Sequence, residues 1–341
     1  MAGKRIDYID YLKGLSITWV VWFHTTHPWF VDFGFRIPLF FFASGIFFKI
    51  VPIKTYIQKK TNQLLVPFVF FYLLYYIYLI GQNYLADHSL KQFDFGCIWE
   101  VFELHRQNYN FTVNPPLWFI CALFCQQVMT YLLVKIFRRR WLITIVAIIL
   151  TYIGVKYVWD LYTPLMLGRA LRYLIYYIMG HEFGKQLLGV VENGKRSSYY
   201  PLYAGTLLFA GAWALRKNLL LNDTLLTYIE TFGLIVVLIY FFKWIHRFRL
   251  AYPFWFFGRN SYIVLGVSEI YQTIFMIIAL HLFGEINIPI GFIQTLCTLI
   301  LLWPTIKILN RKIPKLIGKG VLIDYSYLKK RFLLLPSFLS K

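Results

Sequence analysis

Ten mostly apolar stretches follow one another along this chain, and that repetition limits its fold more than any other feature. They run over about 8–28, 34–51, 64–82, 116–137, 141–158, 163–184, 199–215, 224–242, 260–283 and 288–309. Crossing ~30 Å of hydrocarbon takes roughly 17–25 apolar residues as a helix, and a spanning segment must satisfy its backbone polar groups internally. The pattern therefore predicts an all-α polytopic membrane protein of about ten transmembrane helices. No stretch repeats and no low-complexity linker intervenes. The chain reads as one membrane domain over 1–310 and a basic amphipathic tail over 311–341.

Charge tests this reading. Only 15% of the 341 residues are charged, against about 25% in soluble domains, yet Lys and Arg outnumber Asp and Glu by 35 to 15. Low charge with high apolarity excludes disorder. A net charge of +20 raises nucleic acid as a partner, and its distribution dismisses it. With the N-terminus cytoplasmic, 26 of the 35 basic residues fall in cytoplasmic segments, six outside and three within spans. That bias is the positive-inside pattern; it puts both termini in the cytoplasm of a cell that carries the protein in its inner (plasma) membrane. The tail, basic residues interleaved with Leu, Phe and Tyr, reads as lying along the anionic inner leaflet.

The longest outer loop, about 83–115, holds Trp99, Glu100, Glu103, His105 and Arg106 and is long enough for a partial cover. Asp7, Asp10 and Lys13 interrupt the first apolar segment, which reads as a retained span and not a cleaved leader. Cys121 and Cys125 read as small core residues, the cysteines show no metal-ligand spacing, and no metal is expected.

Ionisable side chains inside spans are costly and therefore mark function. The first span carries Arg5, Asp7, Asp10, Lys13, His24 and His27 before Pro28. Asp10 and Lys13 are three apart and can pair. Lys13 and His24 are eleven apart, which returns them to nearly one face, ~16 Å apart along the axis. The sixth span, running the opposite way, brings Arg169 and Arg172 to the depth of His24, and His181 and Glu182 to that of Lys13. Two polar layers follow, one per leaflet, suggesting a polar passage. Arg169 and Arg172 share a face and can present two guanidinium forks to an anion. Glu269 falls near the bilayer midplane, while Glu230 reads as a structural acid near an interface.

Several motifs then resemble one family in order. Arg5-Ile-Asp-Tyr-Ile-Asp10-Tyr-Leu-Lys13-Gly14, with His24 after ten further residues, is similar to a basic residue, ten residues and a histidine. Pro38-Leu-Phe-Phe-Phe-Ala-Ser44-Gly45, Pro116-Leu-Trp118-Phe119 and Phe257-Gly258-Arg259-Asn260-Ser261 continue the likeness. Together they resemble the acyltransferase 3 family of membrane O-acyltransferases, particularly its fucose 4-O-acetylase-like branch. The chain departs from the pattern in having Lys13 for the usual arginine, Ser268 and Glu269 where relatives often carry a histidine, and Lys60 and Gln63 for an Arg-x-x-Arg pair.

The resemblance implies transfer of an acyl group, usually acetyl from cytoplasmic acetyl-CoA, to a carbohydrate hydroxyl. No tightly bound cofactor is expected; the partners are the bilayer, the acyl-CoA donor and the glycan acceptor. His24 is then the catalytic base or acyl carrier, with Asp10 and Lys13 positioning it or organising the donor end. Arg169 and Arg172 steady the CoA phosphates or the oxyanion, and Trp118, Ser44, Asn260, Ser261, Glu182 and Glu269 complete the binding set. A transporter or exporter of glycan, lipid or anion using the same polar passage is the alternative; the lack of an inverted repeat or of Gly/Pro-broken paired spans stands against it.

Overall fold

The computed structural model describes residues 6–25, 34–104, 111–158, 161–218, 223–248 and 251–324. Arg5, His27, Pro28, His105, Arg106, Asp160 and the tail beyond 324 lie outside the described residues. The elements are helical throughout, and no β-strand occurs among the described residues. In chain order they begin with α1 (Asp7–Phe23), α2 (Arg36–Ile46), α3 (Ile53–Lys60), a π-helical turn Thr61–Leu65 and α4 (Val66–Asp87). There follow α5 (Trp118–Ile136), α6 (Arg140–Lys156), α7 (Leu167–Arg172), α8 (Leu174–Asn193), α9 (Tyr200–Asn218) and α10 (Asp223–Ile245). Last come α11 (Tyr252–Arg259), α12 (Ser261–Phe283) and α13 (Ile288–Lys312).

Among the described residues the apolar runs lie on helices, and five segments there are both long and apolar enough to cross a membrane alone: Ile53–Asp87, Pro115–Ile136, Thr224–Ile245, Ser261–Phe283 and Ile288–Lys312. The shorter ones have identifiable causes. Residues 34–51 read as one span, yet α2 has 11 residues, about 16 Å of helix. α2 ends at Ile46, and after residues 47–51 Pro52 stands at the N-cap of α3. The sixth run divides into α7 and α8 at Tyr173. Ahead of α7, Leu165 and Met166 both adopt left-handed φ values of 53° and 56°, a conformation that costs a non-glycine residue ~1–2 kcal/mol. Gly168 N–H donates to Thr163 Oγ1 at 2.7 Å across the same turn. The strained turn redirects the chain so that α7 ends against the bundle.

Two helix pairs set the register of everything that follows. On α1, a Cβ at Gly14 would overlap the backbone of Phe254, and one at Gly258 would overlap the carbonyl of Asp10, so α1 and α11 meet backbone to backbone. Gly45 against Tyr177 and Gly180 against Phe42 join α2 to α8 in the same manner. Small residues at such seams are how helices approach in a membrane, where apolar burial provides little force between them. Asp10 is buried within the first seam.

Two loops are tied down by side chains. In the outer loop Glu100, 6% exposed, accepts from the N–H groups of Thr112 and Val113 at 2.8 and 2.7 Å and from the Tyr72 hydroxyl at 3.2 Å. Burial raises its carboxyl pKa despite those donors. At the other end of the bundle the segment after α13 folds back, instead of running free along a leaflet as far as residue 324. Asn62 in the π-helical turn accepts from Leu322 and Ile323 N–H at 2.6 and 2.8 Å and donates to Gln58 and Ile323 carbonyls. Ile317 of this strap is buried.

Candidate active site

His24 caps the C-terminus of α1, its N–H bonded to the Val20 carbonyl at 3.2 Å. Arg36, the first residue of α2, lies at the depth of His24. α7 arrives at the same depth from the other side. The result is a cavity of about 410 Å³ whose lining includes His24, Arg36, Trp118, Tyr162, Arg169, Arg172 and Tyr173, a volume within the range of small-molecule sites. The two arginines of α7 and His24 thus meet, as their depths in the sequence suggested.

Aromatic rings hold the cations in place. The Arg36 guanidinium lies 3.4 Å from the Phe23 ring centroid, Arg169 4.4 Å from Trp118 and Arg172 5.3 Å from Tyr173. Trp118 and Tyr173 stack on each other at 6.2 Å. Stacking on a ring face restrains a guanidinium while its in-plane N–H donors remain directed outward. Phe111, within the loop at 83–115, packs on the cavity-lining ring of Tyr162 at 6.1 Å.

Glu269 on α12 faces His24, its Oε2 3.9 Å from Nδ1. That separation exceeds a direct hydrogen bond, and a small rotamer change would bring the pair within range. The acid is held at this height by Gln272, one turn on, whose amide donates to the Val21 carbonyl of α1. Gln294 of α13 in turn donates to the Gln272 carbonyl at 2.8 Å. A second layer of bonds therefore sets the approach of acid to imidazole. Ser268, the residue before Glu269, is buried.

The second polar layer lies ~16 Å along α1. Lys13 Nζ sits 5.7 and 5.4 Å from the ring centroids of Phe40 and Phe47. Ser44, between those two on the same face of α2, belongs to this layer. Glu182, its side chain 3% exposed, lies 3.5 Å from Arg140 Nε and 3.4 Å from His181 Nε2, and the His181 ring packs on Phe48 at 4.9 Å. Asp10 and Lys13 are thus in a different layer from His24, and neither lines its cavity.

Between the layers the bundle is almost closed. A void of about 10 Å³ lined by Ser16, Val20, Arg36, Phe40 and Phe119 is the space left beneath the cavity. Phe40 and Phe41 pack on Phe119 at 5.0 and 4.7 Å. The polar passage suggested by the sequence is interrupted here by rings.

Asn260 and Ser261 lie elsewhere, buried at the junction of α11 and α12. Asn260 Oδ1 accepts from Asn310 at 2.9 Å and Lys319 at 2.6 Å, and its amide donates to the Phe256 carbonyl. Its polar atoms join α11, α12, α13 and the strap. Glu230 pairs with Arg216 at 3.2 Å across α9 and α10, the structural role its position suggested. Cys121 is buried in the core and Cys125 lies against the Leu165 carbonyl at 3.5 Å.

Two residues of consequence escaped sequence reasoning. Arg36 counted as a loop charge, although its place at the head of an apolar run, directly after the span carrying His24, predicts equal depth. Asn62 carries no signal that distinguishes it from any polar residue at a helix end.

A helical bundle that gathers a half-buried histidine, carboxylate and arginines at one cavity has the form of a membrane enzyme. Residues 6–308 match the acyltransferase 3 family, described as an acyltransferase domain, and the chain belongs to that family. It is a membrane acyltransferase. No curated protein and no solved structure matches the chain.

Proposed function

We propose that the protein is an O-acetyltransferase of the fucose 4-O-acetylase-like kind, moving an acetyl group from cytoplasmic acetyl-CoA to a hydroxyl of a cell-envelope or exported glycan. The observation that carries this reading is the pair His24 and Glu269, 3.9 Å apart at the wall of an arginine-lined cavity. A sugar hydroxyl is a poor nucleophile near neutral pH and needs a base, and a carboxylate behind an imidazole orients it and stabilises the imidazolium that forms.

In this reading His24 takes the proton from the acceptor hydroxyl as its oxygen attacks the thioester carbonyl. The oxyanion of the tetrahedral intermediate is stabilised by a neighbouring guanidinium. Collapse expels CoA thiolate, which recovers the proton from the imidazolium. With His24 as acyl carrier the same geometry serves two successive transfers. Both termini are cytoplasmic, so the layer of Lys13, Ser44, Arg140 and Glu182 lies at the donor's side. The thioester arm reaches His24 through the narrow void when the Phe40 ring turns aside.

Purified protein in proteoliposomes, supplied with radiolabelled acetyl-CoA and envelope glycan, tests the assignment. Label should appear on glycan with the native chain and not with His24→Ala. Undiminished transfer by a folded, inserted His24→Ala protein would remove His24 from catalysis. Rapid quenching before acceptor is added separates the two roles, since an acyl carrier leaves label on the protein. Mass spectrometry of envelope glycans from cells with and without the gene identifies the acetylated sugar.

A further inference from the structure

We infer that the end of α8, the start of α9 and the end of α10 form a binding site for an anionic phospholipid, with its phosphate held by Lys243 and Arg247 and its acyl chains laid along α9 and α10. The site shares no lining residue with the His24 cavity and does not depend on what that cavity acylates.

A cavity of about 610 Å³ opens where α8 ends and α9 begins, against the last turns of α10. Two side-chain bonds frame it. The Tyr240 hydroxyl donates to the Ser198 carbonyl, and Lys243 Nζ donates to the Val191 carbonyl in the last turn of α8. A carbonyl in that turn has no partner within its own helix, so the ammonium caps it and is held at the cavity wall. An ammonium carries three N–H donors, and two remain beyond this bond. Arg247, in the turn that follows α10, lines the same cavity. The lining comes from 191–202 and 237–247, which together hold four Lys or Arg residues and one acid. That acid, Glu192, interacts with Tyr8, outside the lining. Lys195 and Arg196 are exposed between the lining residues Gly194 and Ser198.

Aromatic rings mark the depth of this cavity. Tyr199 lies 6.2 Å from Tyr240 and Phe241 6.3 Å from Trp244, all four in the lining. Amphipathic rings settle at the level of lipid headgroups, which puts the lysine and arginine beside them at the height of lipid phosphates. Tyr199, Phe241 and Trp244 are exposed on the outside of the bundle, so the cavity opens sideways to the bilayer. Leu202 and Val237 continue its wall along the two helices, away from the charges and towards the hydrocarbon. A soluble anion would meet the cations and leave the apolar wall uncovered, whereas a phospholipid covers both. In the orientation proposed above this is the cytoplasmic rim, where basic hollows between transmembrane helices suit acidic headgroups.

Brominated-chain phosphatidylglycerol or phosphatidylcholine, mixed into phosphatidylcholine nanodiscs that hold the full chain, tests this, because bromine quenches a tryptophan only at contact. The difference between the native chain and Trp244→Phe isolates the Trp244 signal. That signal should be half quenched at a mole fraction at least about tenfold lower for phosphatidylglycerol than for phosphatidylcholine, the scale of one charge-assisted contact. The preference should fall towards unity in Arg247→Gln, persist in Arg247→Lys and weaken with salt. Equal quenching by the two lipids overturns the inference. Native mass spectrometry of the unsubstituted chain makes the same comparison without any variant: phosphatidylglycerol should stay bound at collision energies that strip phosphatidylcholine, and equal loss of both overturns the inference. Full preference in a folded protein carrying both Arg247→Gln and Lys243→Met also overturns it, since the selectivity then lies elsewhere. Displacement of phosphatidylglycerol by inorganic phosphate or CoA, beyond that caused by sodium chloride of equal ionic strength, makes this a site for a soluble anion and overturns it too.

Discussion

The two polar layers of this bundle draw on the same kinds of residue and arrange them differently. Around Glu182 the charges are paired. A carboxylate 3% exposed meets an arginine and a histidine within 3.5 Å, and little space is left. Around His24 the cations stack on rings and surround a void of about 410 Å³. A buried carboxylate packed closely against its counter-ions serves the fold, while side chains that line a cavity can also meet a ligand. Intramembrane charge alone does not tell these apart; the volume beside it does.

Substitutions can sharpen or break that contrast. The largest effect is expected at His24. Replacing it with alanine should reduce acyl transfer by about 10²–10⁴-fold, the contribution of a positioned base, without lowering thermal stability in detergent. Glu269→Gln should follow, lowering turnover by about 10–100-fold while leaving KM for the acceptor nearly unchanged, because it orients the base and does not bind sugar. A large rise in KM with normal turnover would instead make Glu269 an acceptor ligand.

Arg140→Gln should act in the opposite sense, removing about 1 kcal/mol of stability with transfer nearly intact. It strips the partner from a buried carboxylate, but Arg140 itself is 71% exposed and its contribution is screened. Loss of transfer at unchanged stability would erase the distinction between the layers. The smallest effect is expected at Asn62. Asn62→Ala removes the acceptor of Leu322 and Ile323 and should expose residues 313–324 to limited proteolysis before the bundle loosens. Native-like resistance to protease would show that Ile317 holds the strap without the amide.

How far the sequence foretold this arrangement depends on which physical signal each part relies on. Apolar length placed the long helices, because burial of the backbone in hydrocarbon leaves no other structure open, and it gave no sign of the short α3 and α11. Chain direction placed Arg169 and Arg172 at the depth of His24, since antiparallel segments of known length fix depth. What stayed hidden depends on backbone detail. The left-handed pair Leu165 and Met166 carries no glycine to announce it, yet it sets the entry into α7, which carries the arginines to the cavity. Asn260 looked like a binding residue from its motif, and its bonds to Asn310 and Lys319 make it a junction, a pairing across 50 and 59 residues that no local pattern encodes. Arg36 was hidden by the habit of assigning charges at the ends of apolar runs to solvent.

The rings of Phe40, Phe41 and Phe119 have a consequence beyond catalysis. A bundle with hydrated polar groups at both depths is one short gap from being a leak for protons and ions, which would discharge the very membrane it occupies. Three aromatic side chains form the insulation between those wet ends.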